Sequence, residues 1–200
     1  MFPLGSVLVP SMALPLHVFE PRYRALVRDC LAGAREFGVV LIERGSEVGG
    51  GDVRTDVGTV ARIVEATELA DGRWALGAVG TRRLRVQSWL PDDPYPCADV
   101  VDWPDPEPGP DHDELVRRAV AGLRRALALA AEAGEAAAPA TIELSTDPLV
   151  LGYQAVAVAP ISTLDRQHLL AAPSPDARLT SLAELLDDAA SLLQLRIAGG

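Results

Sequence analysis

The stretch VGTVARIVEATELADGRWALGAVGTRRLRV, Val57 to Val86, decides the fold class. Its first half alternates in places between apolar and polar residues, the period of a half-buried strand. Asp71-Gly72 then separates two strand-like runs. Asp-Gly is a strong hairpin signal because such turns need positive φ. The run RWALGAVGTRRLRV (73–86) is the return strand. Gly77 and Gly80 within it mark bulges or points where another backbone comes close, since glycine otherwise weakens a strand. The N-terminal half of the chain is therefore built around a β-hairpin.

Reading outward, FGVVLI (37–42) is a short apolar run with β-branched residues, the pattern of a buried strand, and YPCADVVDW (95–103) is one more strand. SEVGGGDVRTD (46–56) reads as a loop. Upstream, LPLHVFEPRYRALV (14–27) joins a strand to a helix. Pro21 suits the first helical turn, where its missing N–H costs nothing. Tyr23, Leu26, Val27 and Cys30 or Leu31 recur at helical spacing, and Gly33 stands where a helix stops. Residues 1–103 thus form a β-rich part with one embedded helix.

WPDPEPGPDHD (103–113) is a run of proline and acid, the composition of a stiff, solvated linker. Everything beyond it reads as helix. ELVRRAVAGLRRALALAAEA (114–133) lines up Leu115, Val116, Ala119, Leu123, Leu127 and Ala130 on one face. A helix covers Asp147 to Ala159, Ser162 caps TLDRQHLLA, and Ser174-Pro175 opens the last helix. Leu179, Leu182, Leu186, Ala189 and Leu193 make that last helix amphipathic. The expected organisation is 1–103 β-rich, 104–113 linker and 114–200 helical.

Composition narrows the chemistry. The chain has 200 residues, 48% of them hydrophobic, and a formal net charge of −10. That balance weighs against a nucleic-acid binder, which needs clustered positive charge, and against an anionic membrane as partner. No apolar run reaches the roughly 18 residues of a membrane helix. MFPLGSVLVP has no basic leader, so the cytoplasm is the expected location. All 18 basic residues are arginine. Without lysine there is no phosphate-binding P-loop, no Ser-Lys dyad and no Schiff base. Cys30 and Cys97 have no companion at metal-ligand spacing and read as buried thiols.

The reactive candidates are few. His112 lies between two aspartates in the linker and is expected in solvent. His168 falls in a short helix as a packing residue. Alternation points His17 away from the core. No G-x-S-x-G elbow is present, and no spaced His, Cys or carboxylate set suggests a metal. Arg117, Arg118, Arg124 and Arg125 share a helix face, with Asp113 to Arg117 and Glu114 to Arg118 in the favoured i,i+4 order. Trp74, Trp89 and Trp103 are too scattered for an aromatic cage.

Three segments carry a family likeness. FPLGSVLVPSMALPLHVFEPRYRALVRDCL (2–31) resembles the opening of the N-terminal substrate-binding domain of Lon proteases. That opening has a Pro-Leu strand, a proline-containing loop, a Leu-Pro-Leu strand and a helix. GTVARIVEATELADGRWALGAVGTRRLRV (58–86) is similar to its central hairpin. DPLVLGYQAVAVAPISTLDRQHLLAAPSPDARLTSLAELL (147–186) resembles its helical half, through Gln167, Leu169, Leu170, Arg178 and Leu179. The segments follow the family's order over nearly the whole chain.

The resemblance implies an α+β chain: a PUA-like β pseudo-barrel with one embedded helix, followed by a C-terminal helical bundle. It also implies a non-catalytic protein- or peptide-binding module, because the ATPase and Ser-Lys protease parts of Lon are not among these residues. The implied partner is an unfolded or degron-bearing polypeptide, with a protease or chaperone as a further one. No cofactor, metal, nucleic acid or membrane is implied. The candidate peptide-binding residues are Met12, Leu14, His17, Phe19 and Tyr23. Two alternatives stand beside this reading: an RNA-binding PUA-like protein, and a small enzyme with a dispersed site around His17.

Overall fold

The computed structural model describes residues 1–45 and 51–199. The chain divides into two compact units, Met1–Pro104 and Asp105–Gly200. The first contains β1 (Phe2–Leu4), β2 (Ala13–Val18), α1 (Pro21–Ala32), β3 (Glu36–Arg44), β4 (Val53–Glu68), β5 (Trp74–Leu90) and β6 (Cys97–Asp102).

The hairpin of β4 and β5 is the spine of this unit. Its turn is longer than a two-residue loop: Leu69 N donates to Arg73 O at 2.8 Å, and Gly72 N to Leu69 O at 2.8 Å. Gly72 takes φ +77°, the conformation for which Asp-Gly is suited. Two bulges interrupt the ladder. Ile63 faces Ala78 and Glu65 faces Gly77, leaving Val64 as the extra residue. Val60 faces Arg82 and Ala61 faces Gly80, leaving Thr81 as the other. Gly80 also meets a second backbone. Its N donates to Met12 O, its O accepts from Ser11 N, and a Cβ there would lie 2.4 Å from Val9 O. Gly77 sits at a bulge alone; a Cβ there would make only ordinary contacts.

The strand order is β1-β3-β4-β5-β2, with β6 also paired to β5. The length of β5 lets β2 pair along residues 74–79 and β6 along 84–90. β3 lies between β1, parallel, and β4, antiparallel. It is buried on both faces: Val39 joins the core under α1, and Val40 joins Val60, Leu84 and Val86 on the other side. That two-sided burial is why FGVVLI reads as a continuous apolar run rather than an alternating one. The main core gathers Phe2, Leu14, Val18, Leu26, Phe37 and Leu76. The pseudo-barrel expectation takes a more open form: the six-stranded sheet does not close, because its end strands β1 and β2 do not pair among the described residues. β4 starts at Val53, so the loop expected over 46–56 gives up its last four residues to the strand. Residues 46–50 of that loop lie outside the described residues.

The second unit holds α2 (His112–Glu132), α3 (Pro148–Val158), α4 (Thr163–Leu170) and α5 (Pro175–Gly199). α2 and α5 bury facing stripes, Ala119, Leu123 and Leu127 on one and Leu182, Leu186 and Leu193 on the other. The α5 stripe turns slightly from the expected one, burying Ala190 in place of Ala189. The cap expected at Ser162 is present, its Oγ accepting from Asp165 N. Asp147, expected inside its helix, is instead the N-cap of α3, with Oδ1 accepting from Leu149 N. No helix among the described residues is long and apolar enough to cross a membrane.

Two residues of the proline and acid run depart from the expectation of a solvated linker. His112 is 6% exposed, not in solvent. Its Nδ1 lies 2.6 Å from Asp176 Oδ1, and Asp176 Oδ2 accepts from Gly109 N. A carboxylate partner makes burial of the imidazole tolerable. Asp105 accepts from Arg178 through both oxygens, at 2.7 and 3.2 Å, and from Tyr153 OH at 2.7 Å. The helix-surface arginines also choose other partners. Arg117 pairs with Glu114 at i,i+3, while Arg118 and Arg125 reach Asp187 on α5.

Candidate functional site

The end strands β1 and β2 line one cavity. β1 supplies Phe2 and Leu4, β2 supplies Leu16, His17 and Val18, and the start of α1 supplies Phe19, Glu20 and Tyr23. The cavity holds about 90 Å³, the size of a single apolar side chain. Sequence explains the local build. The alternation of ALPLHV buries Leu14 and Val18 and leaves His17 outward. Pro21 then ends the extended backbone, with Glu20 at φ −66°, ψ 135° in the N-cap position. That turn throws Phe19 outward, where it is 55% exposed, and drops Tyr23 inward one turn later. Tyr23 stacks on Phe2 with ring centroids 4.2 Å apart, forming the cavity floor. Glu20 makes no side-chain cap; it accepts from Arg22 Nε at 3.0 Å, and the Arg22 guanidinium lies 4.5 Å over the Tyr23 ring.

Of the five candidate residues, His17, Phe19 and Tyr23 meet at this cavity. Leu14 is buried in the sheet core, and Met12 packs half-buried against that core. Neither lines the cavity. Phe2, Leu4, Leu16, Val18 and Glu20 complete the lining and were not among the candidates. β1 has only three residues, too few for a period to show, and its parallel pairing with β3 spans 37 positions (Phe2 to Val39).

The polar groups here are poor material for acid-base work. Burial pushes the Tyr23 phenol up to about 12, so it stays protonated through neutral pH. His17 is exposed, and no hydrogen bond or ion pair orients it among the described residues. A general base needs a positioned partner. The cysteines are half-buried rather than fully buried. Cys30 Sγ donates to Glu36 O, Cys97 Sγ donates to Tyr95 O, and burial pushes the Cys30 thiol up. A thiol in that state is a weak nucleophile. Among the described residues, no three or more His, Cys, Asp or Glu are grouped to hold a metal ion. What the seam offers is an apolar recess with one exposed aromatic at its rim and strand edges on both sides.

Comparison with known proteins adds the following. Residues 1–188 match the family described as ATP-dependent protease La (LON) substrate-binding domain. Lon protease 2 of Herpetosiphon aurantiacus is 26% identical over 96% of this chain and 24% of its own length. Lon protease 2 of Myxococcus xanthus is 29% identical over 96% and 23%. The chain thus spans about a quarter of the length of these relatives. Among solved structures, a Lon N-terminal domain protein from Xanthomonas campestris superposes with a TM-score of 0.64 at 33% identity. The match covers 90% of this chain and 94% of that one. The N-terminal domain of Mycobacterium avium complex Lon protease has the same fold, with a TM-score of 0.65 at 18% identity over 93% and 97%.

Proposed function

Because this chain belongs to the ATP-dependent protease La (LON) substrate-binding-domain family, we propose that it is a non-catalytic module that holds a segment of an unfolded or degron-bearing polypeptide. The seam cavity supports this reading most directly. An apolar side chain of the bound segment enters between Leu16 and Tyr23, against Phe2, while Phe19 covers it from outside. Burial contributes roughly 25 cal/mol per Å² of apolar surface, less the cost of ordering the segment. The outer edges of β1 and β2 offer main-chain groups to an extended chain, the pairing mode that gives affinity without demanding one sequence. Such a module suits partners that share exposed apolar side chains and little else. A protease or chaperone is the natural recipient of what it holds.

The test is a titration with a permanently unfolded, carboxymethylated polypeptide, followed by fluorescence anisotropy. Phe19 is exposed, so Phe19→Asp spares the core. It is expected to weaken binding roughly tenfold or more, as loss of an aromatic anchor does. Undiminished binding by a folded Phe19→Asp protein rejects the seam as the site. Measurable ATP or peptide hydrolysis by the purified chain rejects the non-catalytic reading.

A further inference from the structure

A second recess, of about 440 Å³, lies within the helical unit. The segment Ala136–Ala138 forms one side and the end of α3 with its C-cap, Ala157–Pro160, forms the other; Arg166 of α4 is the charged residue in the lining. Arg166 Nε donates to Val156 O at 3.1 Å and Nη2 to Ala159 O at 2.9 Å, carbonyls at the C-terminal end of α3. These bonds use two of the five N–H groups of a guanidinium and leave three for another acceptor. Among the described residues no carboxylate pairs with it. Burial alone acts on its acidity, drawing it below the ordinary arginine value. The cation is thus partly desolvated without a countercharge, a state that an incoming anion relieves. Ala136–Ala138 lies outside any helix or strand, and no backbone hydrogen bond engages it among the described residues. Its N–H and C=O groups are open to a second extended chain.

We propose that this recess takes the free C-terminus of a polypeptide whose last residues are small and apolar, with the α-carboxylate on Arg166 and the main chain along Ala136–Ala138. An α-carboxylate continues the line of an extended backbone, so one ligand satisfies both features; a side-chain carboxylate projects off that line. The alanine, valine and proline side chains of the lining are apolar and suit small apolar side chains on the ligand. Arginine meets a carboxylate with paired N–H donors, and capture of a terminal carboxylate is a recurring mode of peptide recognition. The site lies in the other unit from the seam cavity and extends the proposed activity to a second kind of signal, the end of a chain.

The experiment compares two fluorescein-labelled peptides of one sequence ending Ala-Val-Ala, one a free acid and one an amide, titrated with the full chain. The acid is expected to bind about tenfold or more tightly than the amide, and that preference is expected to vanish in Arg166→Gln. Equal binding of acid and amide overturns the proposal, as does failure of the acid to bind at millimolar protein, or an acid preference that survives Arg166→Gln. Because Arg166 also caps α3, Ala137→Glu serves as the second variant. It sets a negative charge opposite the cation without touching the cap, and is expected to abolish the preference in a protein with unchanged circular dichroism. An amidated peptide with an internal aspartate that binds as well as the free acid also overturns it.

Discussion

Arg178 has 1% of its surface exposed. Its guanidinium is paired with both oxygens of Asp105, donates through Nε to Leu169 O, and lies 4.1 Å over the Tyr153 ring. Tyr153 in turn donates to Asp105. Removing one member leaves a buried charge unpaired, which costs far more than the net worth of the pair. Asp105→Ala is therefore expected to destabilise the helical unit by about 3–5 kcal/mol, measured by urea denaturation followed at 222 nm. A loss under about 1 kcal/mol, the scale of an exposed ion pair, contradicts the assignment. Half of this arrangement could be read from sequence. Arg178 and Leu179 stood out as part of a family pattern, but Asp105 sits 73 residues away in a stretch whose composition reads as solvated. Composition reports the average fate of acids and prolines, not the one carboxylate that a buried cation holds. His112 departs from a solvated position for the same reason: its partner, Asp176, is 64 positions distant.

At the level of elements, local patterns were most legible where one period dominates. The hairpin, α1 from Pro21 to its stop at Gly33, and the cap at Ser162 all follow from short-range chemistry. The glycines of β5 were legible as special but not as to why. Gly77 and Gly80 carry the same signal, yet only Gly80 is pressed against another backbone. The difference depends on where Val9 lies, which no local window contains. It also yields a paired prediction. Gly80→Ala would force a Cβ to within 2.4 Å of Val9 O and displace the loop that precedes β2. The expected loss is about 1–3 kcal/mol. Gly77→Ala places its Cβ no nearer than 3.6 Å to Glu65 and Val64 side chains. It is expected to be close to neutral, since alanine also restricts the unfolded chain. Thermal or urea melts of the two variants side by side decide the matter. Equal losses would mean that strand propensity, not close approach, governs both. The seam cavity was legible only in part because it is a property of the sheet's two ends. His17, Phe19 and Tyr23 lie in one continuous stretch, whereas Phe2 and Leu4 arrive through β3.

On the scale of the whole chain, the position of the boundary between units is a physical question about which residues complete the helical core. Composition puts the start of the helical part at 114, after the prolines and acids. Contacts put it at Asp105. The two choices differ by Asp105, which neutralises Arg178, and by Gly109 and His112, which together engage both oxygens of Asp176. A fragment of residues 105–200 retains these partners and is expected to melt as one cooperative transition. A fragment of residues 114–200 retains the leucine stripes of α2 and α5, so apolar burial is nearly the same. It nevertheless loses the first two residues of α2 and leaves Arg178 buried without a carboxylate. Its melting temperature is expected to fall by about 10 °C or more, from 3–5 kcal/mol for the unpaired charge and 4–8 °C per kcal/mol for a unit of this size. Circular dichroism melts of the two fragments separate the possibilities. If they melt together, the apolar stripes alone hold the bundle and the acid run is a tether. If the shorter one melts lower and Arg178→Met in that fragment restores much of the loss, the stretch from Asp105 to His112 is part of the helical unit's own folding information, with the cation at Arg178 as the reason.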